Sequence, residues 1–114
     1  MNQTVAAFLI VTTSVTCSMA QQRSLNCNVG PITKTYGGSN WLVYSCDDNQ
    51  SVVFLAAPNN PATPFYFLLS KRDGSYRVEG EGTGNKNATS AAVAEIGKLS
   101  ETEITAVIEQ TRKR

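Results

Sequence analysis

The chain has no histidine at all. That removes the side chain that most often acts as a general base near neutral pH and most often ligates metals. Charge is also sparse. Charged residues make up 17% of the sequence and the net charge is +1, so no strong field draws the molecule to nucleic acid or anionic lipid. No apolar run approaches the ~20 residues a membrane-spanning helix needs. A serine nucleophile would lack its usual base, and the S-x-x-K spacing that can replace it does not occur. The EF-hand pattern D-x-[DN]-x-[DN]-G is missing too. These absences give the expectation of a non-catalytic protein with no cofactor, no metal and no nucleic-acid partner.

What is present fits one small globular domain. The length is 114 residues and the hydrophobic fraction 41%, above the range of disordered chains. The first twenty residues read as an export signal. Val5-Ala-Ala-Phe-Leu-Ile-Val11 is long enough for a signal core and too short for a membrane span. Ser18-Met-Ala20 places small residues at the −3 and −1 positions of a cleavage site, and no charged residue precedes Arg23. The expected organisation is therefore a signal peptide at 1–20 and a single domain at 21–114, periplasmic or secreted, with no stable membrane insertion once the signal is removed. Cys17 lacks the small residue that precedes a lipidated cysteine, since Thr16 stands there.

Removing the signal leaves Cys27 and Cys46. An even count in an exported chain favours a disulfide. It would close a loop of about twenty residues, worth on the order of 3 kcal/mol by loss of unfolded-state entropy.

The rest of the domain falls into two halves. The eight aromatic residues beyond the signal all lie between Tyr36 and Tyr76, while the C-terminal part is rich in Ala, Glu and Lys. Strand formers first and helix formers second is an α+β pattern. Candidate strands occupy 32–36, 41–46, 51–57, 65–70 and 75–80, separated by Gly37-Gly-Ser-Asn40, Asp47-Asp-Asn-Gln50, the proline-rich loop 58–64 and Lys71-Arg-Asp-Gly74. Such short links imply an antiparallel meander of four to five strands. Two helices follow, packed on one sheet face. The first runs from about 87 to 96 with Ala88, Ala92 and Ile96 on one side and Gly97 as its C-terminal cap. The second opens with a capping box, Ser100 and Glu103, and a hydrophobic staple, Leu99 and Ile104. Ile104, Val107, Ile108 and Thr111 form its apolar face.

Alternation along the middle strands gives apolar residues on both sides. Val52, Phe54 and Ala56 oppose Val53, Leu55 and Ala57; Phe65, Phe67 and Leu69 oppose Tyr66 and Leu68. Two helices cover one face. The other needs the segment 21–34, a second protomer (a homodimer), a protein partner or a small ligand. Tyr44, Phe54, Phe65, Tyr66 and Phe67 are the candidate aromatic binding residues.

Other motifs carry less. Gly80-Glu-Gly-Thr-Gly84 precedes Lys86 at a strand-to-helix junction, which makes Gly82, Gly84 and Lys86 a candidate anion site for a small hydrolase or anion-binding protein. The spacing matches neither the P-loop nor the dinucleotide fingerprint. Asp47-Asp48 and the pair Glu79 and Glu81 are paired carboxylates, but the aspartates sit where such residues bond their own backbone. The loop 58–64 offers a proline-stiffened insertion loop for an enzyme inhibitor. Arg112-Lys-Arg114 suits a helix end. Asn87-Ala-Thr89 matches a glycosylation sequon that matters only in a eukaryotic secretory pathway.

Trp41-Leu-Val-Tyr-Ser-Cys-Asp-Asp48, Pro64-Phe-Tyr-Phe67, Gly80-Glu-Gly-Thr-Gly84 and Leu99-Ser-Glu101 together resemble short exported proteins of proteobacteria. That resemblance implies a compartment and no activity. Locally, Tyr44-Ser-Cys-Asp-Asp-Asn-Gln-Ser-Val-Val-Phe54 is similar to the Y-x-C hairpin of periplasmic C-type lysozyme inhibitors. Those are all-β and act through a Ser-Gly-x-x-Tyr motif that is absent here, so their function passes to no residue of this chain.

Overall fold

A glycine pair makes the first turn. Gly37 and Gly38 have φ of 64° and 81°, the left-handed values a two-residue hairpin requires at both central positions. The pair joins β1 (Val29–Tyr36) to β2 (Ser39–Ser45), and β3 (Val52–Ala56), β4 (Phe65–Arg72) and β5 (Ser75–Gly82) follow. The computed structural model describes residues 25–113; the signal segment expected at 1–20 lies outside them. All neighbouring strands are antiparallel, in the order β1-β2-β3-β4-β5. After them come α1 (Lys86–Ile96) and α2 (Glu101–Lys113). The fold is thus α+β: a five-strand meander followed by two helices.

β1 begins earlier than its apolar pattern suggests and contains Pro31. Its register shifts between Val29 and Ile32. A proline is tolerated there because β1 is an edge strand, where one missing N–H donor breaks no central ladder.

Both helices lie on the same side of the sheet. The core beneath them holds Trp41, Val43, Val52, Phe54, Phe67 and Leu69 from the strands, with Ala92, Ile96, Ile104, Val107 and Ile108 from the helices. Trp41 and Phe54 are fully buried, each contributing about 3 kcal/mol of transfer free energy. Trp41 Nε1 donates to the Tyr36 carbonyl at 3.1 Å, which satisfies the one polar atom of the indole. α2 crosses the strands: Glu101 at its start pairs with Lys71 of β4, and Gln110 near its end accepts from Lys34 of β1. Next to Gln110, the Thr111 and Ser45 hydroxyls bond at 2.7 Å inside the core.

Helix starts follow local chemistry. The Ser100 Oγ accepts from the Glu103 amide at 3.1 Å, and Glu103 Oε1 accepts from the Ser100 amide at 2.8 Å. This reciprocal box satisfies two otherwise orphaned donors. Asn85 caps α1 by accepting from the amides of Asn87 and Ala88. Gly97 caps the end of α1, as expected. Gly97 has φ −68° and ψ −13°, right-handed rather than left-handed. The chain leaves α1 by a further tight turn, Lys98 N to Glu95 O and Leu99 N to Ile96 O, and so reaches the α2 cap without a left-handed residue.

Cys27 and Cys46 form the disulfide. The Asp47 amide donates to the Asn26 carbonyl at 2.8 Å. Asn26 is thus tied to the β2 side of the sheet edge beside the disulfide, and 29–34 belong to β1 itself. Of the segment 21–34 expected as a possible cover for the second face, 29–34 are thus strand residues within the sheet; 21–24 lie outside the described residues.

Candidate functional site

The strand registers assemble the second face row by row. One row runs Thr33, Leu42, Leu55, Tyr66, Glu81 across all five strands. The next runs Tyr44, Val53, Leu68, Glu79, and a third ends on Ser70 and Arg77. Neighbours within a row have Cβ atoms about 5 Å apart, and rows alternate along a strand every two residues, about 7 Å. Leu42, Tyr44, Val53, Leu55, Tyr66 and Leu68 thus form one apolar field over β2, β3 and β4. Leu55 is 39% and Tyr66 40% exposed, and the other four are half-buried. Among the described residues, nothing covers this field.

The expected aromatic site therefore divides. Tyr44 and Tyr66 stand on the open face. Phe54 and Phe67 belong to the core under the helices, and Phe65 packs beside them, its ring centroid 5.0 Å from that of Phe67. Period-2 alternation already put Phe54, Phe65 and Phe67 opposite their neighbours. It did not say which side the helices would take. Leu42, Val53, Leu55 and Leu68 complete the open site, and their outward parity was readable in β3 and β4 once that side was known.

Charge borders the field along β5. Glu79 pairs with Arg72 at 3.5 Å. Arg77 and Glu81 are exposed and make no ion pair among the described residues. At the Glu81 corner an open recess of about 300 Å³ is lined by Leu55, Pro64, Phe65, Tyr66, Glu81 and Gly82.

The glycine loop serves packing. The Thr83 amide donates to Pro64 O at 3.0 Å and the Asn85 amide to Pro61 O at 3.2 Å. The first free amides of α1, at Asn87 and Ala88, go to the Asn85 side chain at 2.8 and 3.1 Å. An anion cradle needs such donors converging on one open point, and here they are spent within the chain. Gly82, Gly84 and Lys86 do line an open recess with Phe65, Thr83, Thr89 and Ser90, beside amides of Thr83, Asn85, Asn87 and Ala88 that are bonded within the chain. A Cβ on Gly84 would lie 1.6 Å from Ala62 O, so its glycine permits contact between the junction and the loop 58–64.

That loop is itself sewn down. Ala62 and Asn60 are buried. Asn60 donates to the Asn40 carbonyl at 2.7 Å and accepts from the Ala62 amide at 2.7 Å, while the Thr63 hydroxyl reaches the Ala57 carbonyl. Pro58, Asn59, Pro61, Thr63 and Pro64 remain exposed around these two anchors.

Asp48 also works locally. Its carboxylate accepts from the Gln50 amide at 3.0 Å and from the Ser51 amide and hydroxyl at 2.8 and 2.6 Å. Partial burial alone would raise its pKa, but these hydrogen bonds outweigh it and hold the carboxyl below its ordinary 3.8. A depressed folded pKa contributes stability that is present above the unfolded value and lost as pH falls through the folded one. Acid titration of stability below about pH 4 is therefore expected to flatten in Asp48→Asn. Urea midpoints measured across that range check it, and an unchanged slope would count against the assignment. Among the described residues no group of three or more Cys, Asp or Glu is placed to hold a metal ion, and no helix is long and apolar enough to cross a membrane.

No family model matches the chain, and no curated protein or solved structure matches it at a significant level.

Proposed function

We propose that this is an exported, non-catalytic binding protein whose docking surface is the open face of its sheet. One observation carries the reading: Leu42, Tyr44, Val53, Leu55, Tyr66 and Leu68 lie together on the side the helices leave free. Apolar side chains gathered into one field, with polar groups at the border, are characteristic of a surface meant to be covered. The Cys27–Cys46 disulfide is compatible with an oxidising compartment, which supports the reading of 1–20 as an export signal. The rival sites have weaker support: the loop 58–64 is anchored through buried Asn60 and Ala62, and the Thr83 and Asn85 amides beside the candidate anion site are already bonded to Pro64 and Pro61.

The test is retention from periplasmic extract or culture medium by the immobilised protein, compared across three forms. Leu55→Glu places a charge in the field at an exposed position. Thr105→Glu places one on the exposed side of α2 as a control. Binders held by the wild type and by Thr105→Glu, and lost by Leu55→Glu, are the expected result. Retention indifferent to Leu55→Glu, in a variant whose circular dichroism is unchanged, would sink the proposal.

A further inference from the structure

We infer that the outer edge of β5 is a peptide-binding site, which adds an extended segment of another protein to the sheet as a further antiparallel strand. The inference stands apart from the open-face reading, because backbone groups carry it rather than the apolar field. Asp73 and Gly74, with φ of 53° and 83°, make a two-residue turn that pairs Arg72 with Ser75. Such a turn closes on a hydrogen-bonded pair, and bonding then alternates along the ladder. At the far end the Thr83 amide donates to Pro64 O at 3.0 Å, in the same phase. Ser75, Arg77, Glu79 and Glu81 therefore bond to β4, and the N–H and C=O groups of Tyr76, Val78, Gly80 and Gly82 point outward. Among the described residues those outward groups have no hydrogen-bond partner. The opposite edge is guarded: β1 carries Pro31, which has no N–H to offer, and a shift of register. β5 has no proline and an unbroken register, so it lacks the devices that keep β1 from accepting another strand. Beyond Gly82 the chain turns toward the loop 58–64, with Gly84 against Ala62 and the Asn85 amide on Pro61 O, rather than back over the edge.

Side chains select which peptide fits. An added strand sends successive residues to opposite faces, and a recess lies on each face at the Gly82 end of β5. On the open face Glu81 borders the recess that Pro64 and Tyr66 also line. A lysine opposite Glu81 meets its carboxylate and lays its stem on that apolar wall. On the helix side a recess of about 560 Å³ opens between Phe65, Gly82 and the Lys86, Thr89 and Ser90 side of α1. Lys86 makes no ion pair among the described residues, and an acid opposite Gly82 enters beside it. In an antiparallel strand those two positions are consecutive, so the site calls for an acid followed directly by a base. Four positions after the base comes the residue opposite Arg77, which is exposed and calls for a second acid. Glu79, between them, is already paired with Arg72 at 3.5 Å. The positions opposite Gly80, Val78 and Tyr76 face the helix side, where Phe65, Val78 and Tyr76 are half-buried, and suit apolar strand formers. Backbone bonds supply affinity and alternate side chains specificity, as in strand addition generally.

The test is fluorescence anisotropy with the labelled, end-capped peptide Glu-Lys-Val-Thr-Val-Glu-Val, which is expected to bind the purified protein. Lys-Glu-Val-Thr-Val-Lys-Val exchanges every charge and is expected to bind about tenfold more weakly or worse. N-methylation of the third and fifth residues removes the donors that face Gly80 and Val78, and is expected to cost about tenfold or more. N-methylation of the fourth, whose N–H points away from the sheet, is expected to change affinity by less than about threefold. Glu81→Lys is expected to weaken the first peptide about tenfold and to accept Glu-Glu-Val-Thr-Val-Glu-Val in its place. In amide spectra the Tyr76, Val78, Gly80 and Gly82 resonances are expected to shift with peptide and to gain exchange protection. No binding of the first peptide up to near-millimolar concentration overturns the inference. Equal losses from the two patterns of N-methylation overturn the edge geometry, and indifference to charge exchange overturns the proposed ligand chemistry. Protection of those four amides that rises with protein concentration alone assigns the edge to a second copy and also overturns the peptide reading. The open-face proposal is decided separately, by Leu55→Glu.

Discussion

Gly84→Ala is expected to destabilise the protein by at least about 3 kcal/mol, the upper end of the usual range for overpacking. The added methyl would lie 1.6 Å from the Ala62 carbonyl oxygen and 2.3 Å from its carbon. Those are backbone atoms, so no side chain can rotate away. Ala62 is itself fully buried, held by the Asn60 turn, so the loop cannot back off without breaking the bonds from Asn85 to Pro61 and from Ala62 to Asn60. In a domain of this size about 3 kcal/mol corresponds to a melting temperature lower by roughly 12–24 °C. Gly38→Ala is the matched control. Its Cβ would meet nothing within 4 Å, and only its φ of +81° opposes a side chain, a strain of about 1 kcal/mol. Thermal unfolding of the two variants separates close packing from backbone conformation. If Gly84→Ala melts within a few degrees of wild type, the packing role assigned to this glycine is wrong, and the glycine-rich junction is looser than its contacts indicate.

Removing the disulfide should have an effect of similar size by a different route. The Cys27–Cys46 bond spans 19 residues of sequence, and the chain-entropy model assigns about 3 kcal/mol to closing such a loop. The double variant Cys27→Ser/Cys46→Ser is expected to lose about that much, and wild type in reductant should approach the same midpoint. The urea m-value should rise in both, since an uncrosslinked unfolded chain exposes more surface. Loss should begin at the sheet edge. β1 carries Pro31 and a register shift near its start, and the pairing there is continued by Asn26 and Asp47 beside the disulfide. Exchange of the Val29, Gly30 and Ile32 amides is expected to accelerate before that of β3 and β4. A midpoint unchanged by both treatments would mean the crosslink holds together a segment that is ordered without it.

Much of this protein is written locally. The α2 start was legible because a capping box and a staple are made by residues within five positions of each other, and the same bonds form in the structure. The meander was legible because the turns are short and carry their own left-handed residues, as Gly37-Gly38 and Asp73-Gly74 do. The disulfide followed from a count of two cysteines. Alternation in β3 and β4 determined which residues share a face, since that depends only on the pleat.

Tertiary structure decided the rest, wherever two sides of an element offered similar chemistry. β3 and β4 are apolar on both faces, so their sequence could not say whether Phe54 and Phe67 or Leu55 and Tyr66 would meet the helices. That choice depends on contacts between distant residues. Gly37 admits α1 against its backbone, where a Cβ would lie 2.5 Å from Ala92 N; Ser45 bonds Thr111 across the core; and Trp41 fills the space beneath. The letters of Gly80-Glu-Gly-Thr-Gly84 likewise suited either an anion or a close approach, because glycine supplies freedom to both. Only the position of Ala62, more than twenty residues earlier in the chain, settled what Gly84 is for. Sequence fixes what each short segment can do, and long-range packing selects among those options because burial free energy depends on which surfaces meet.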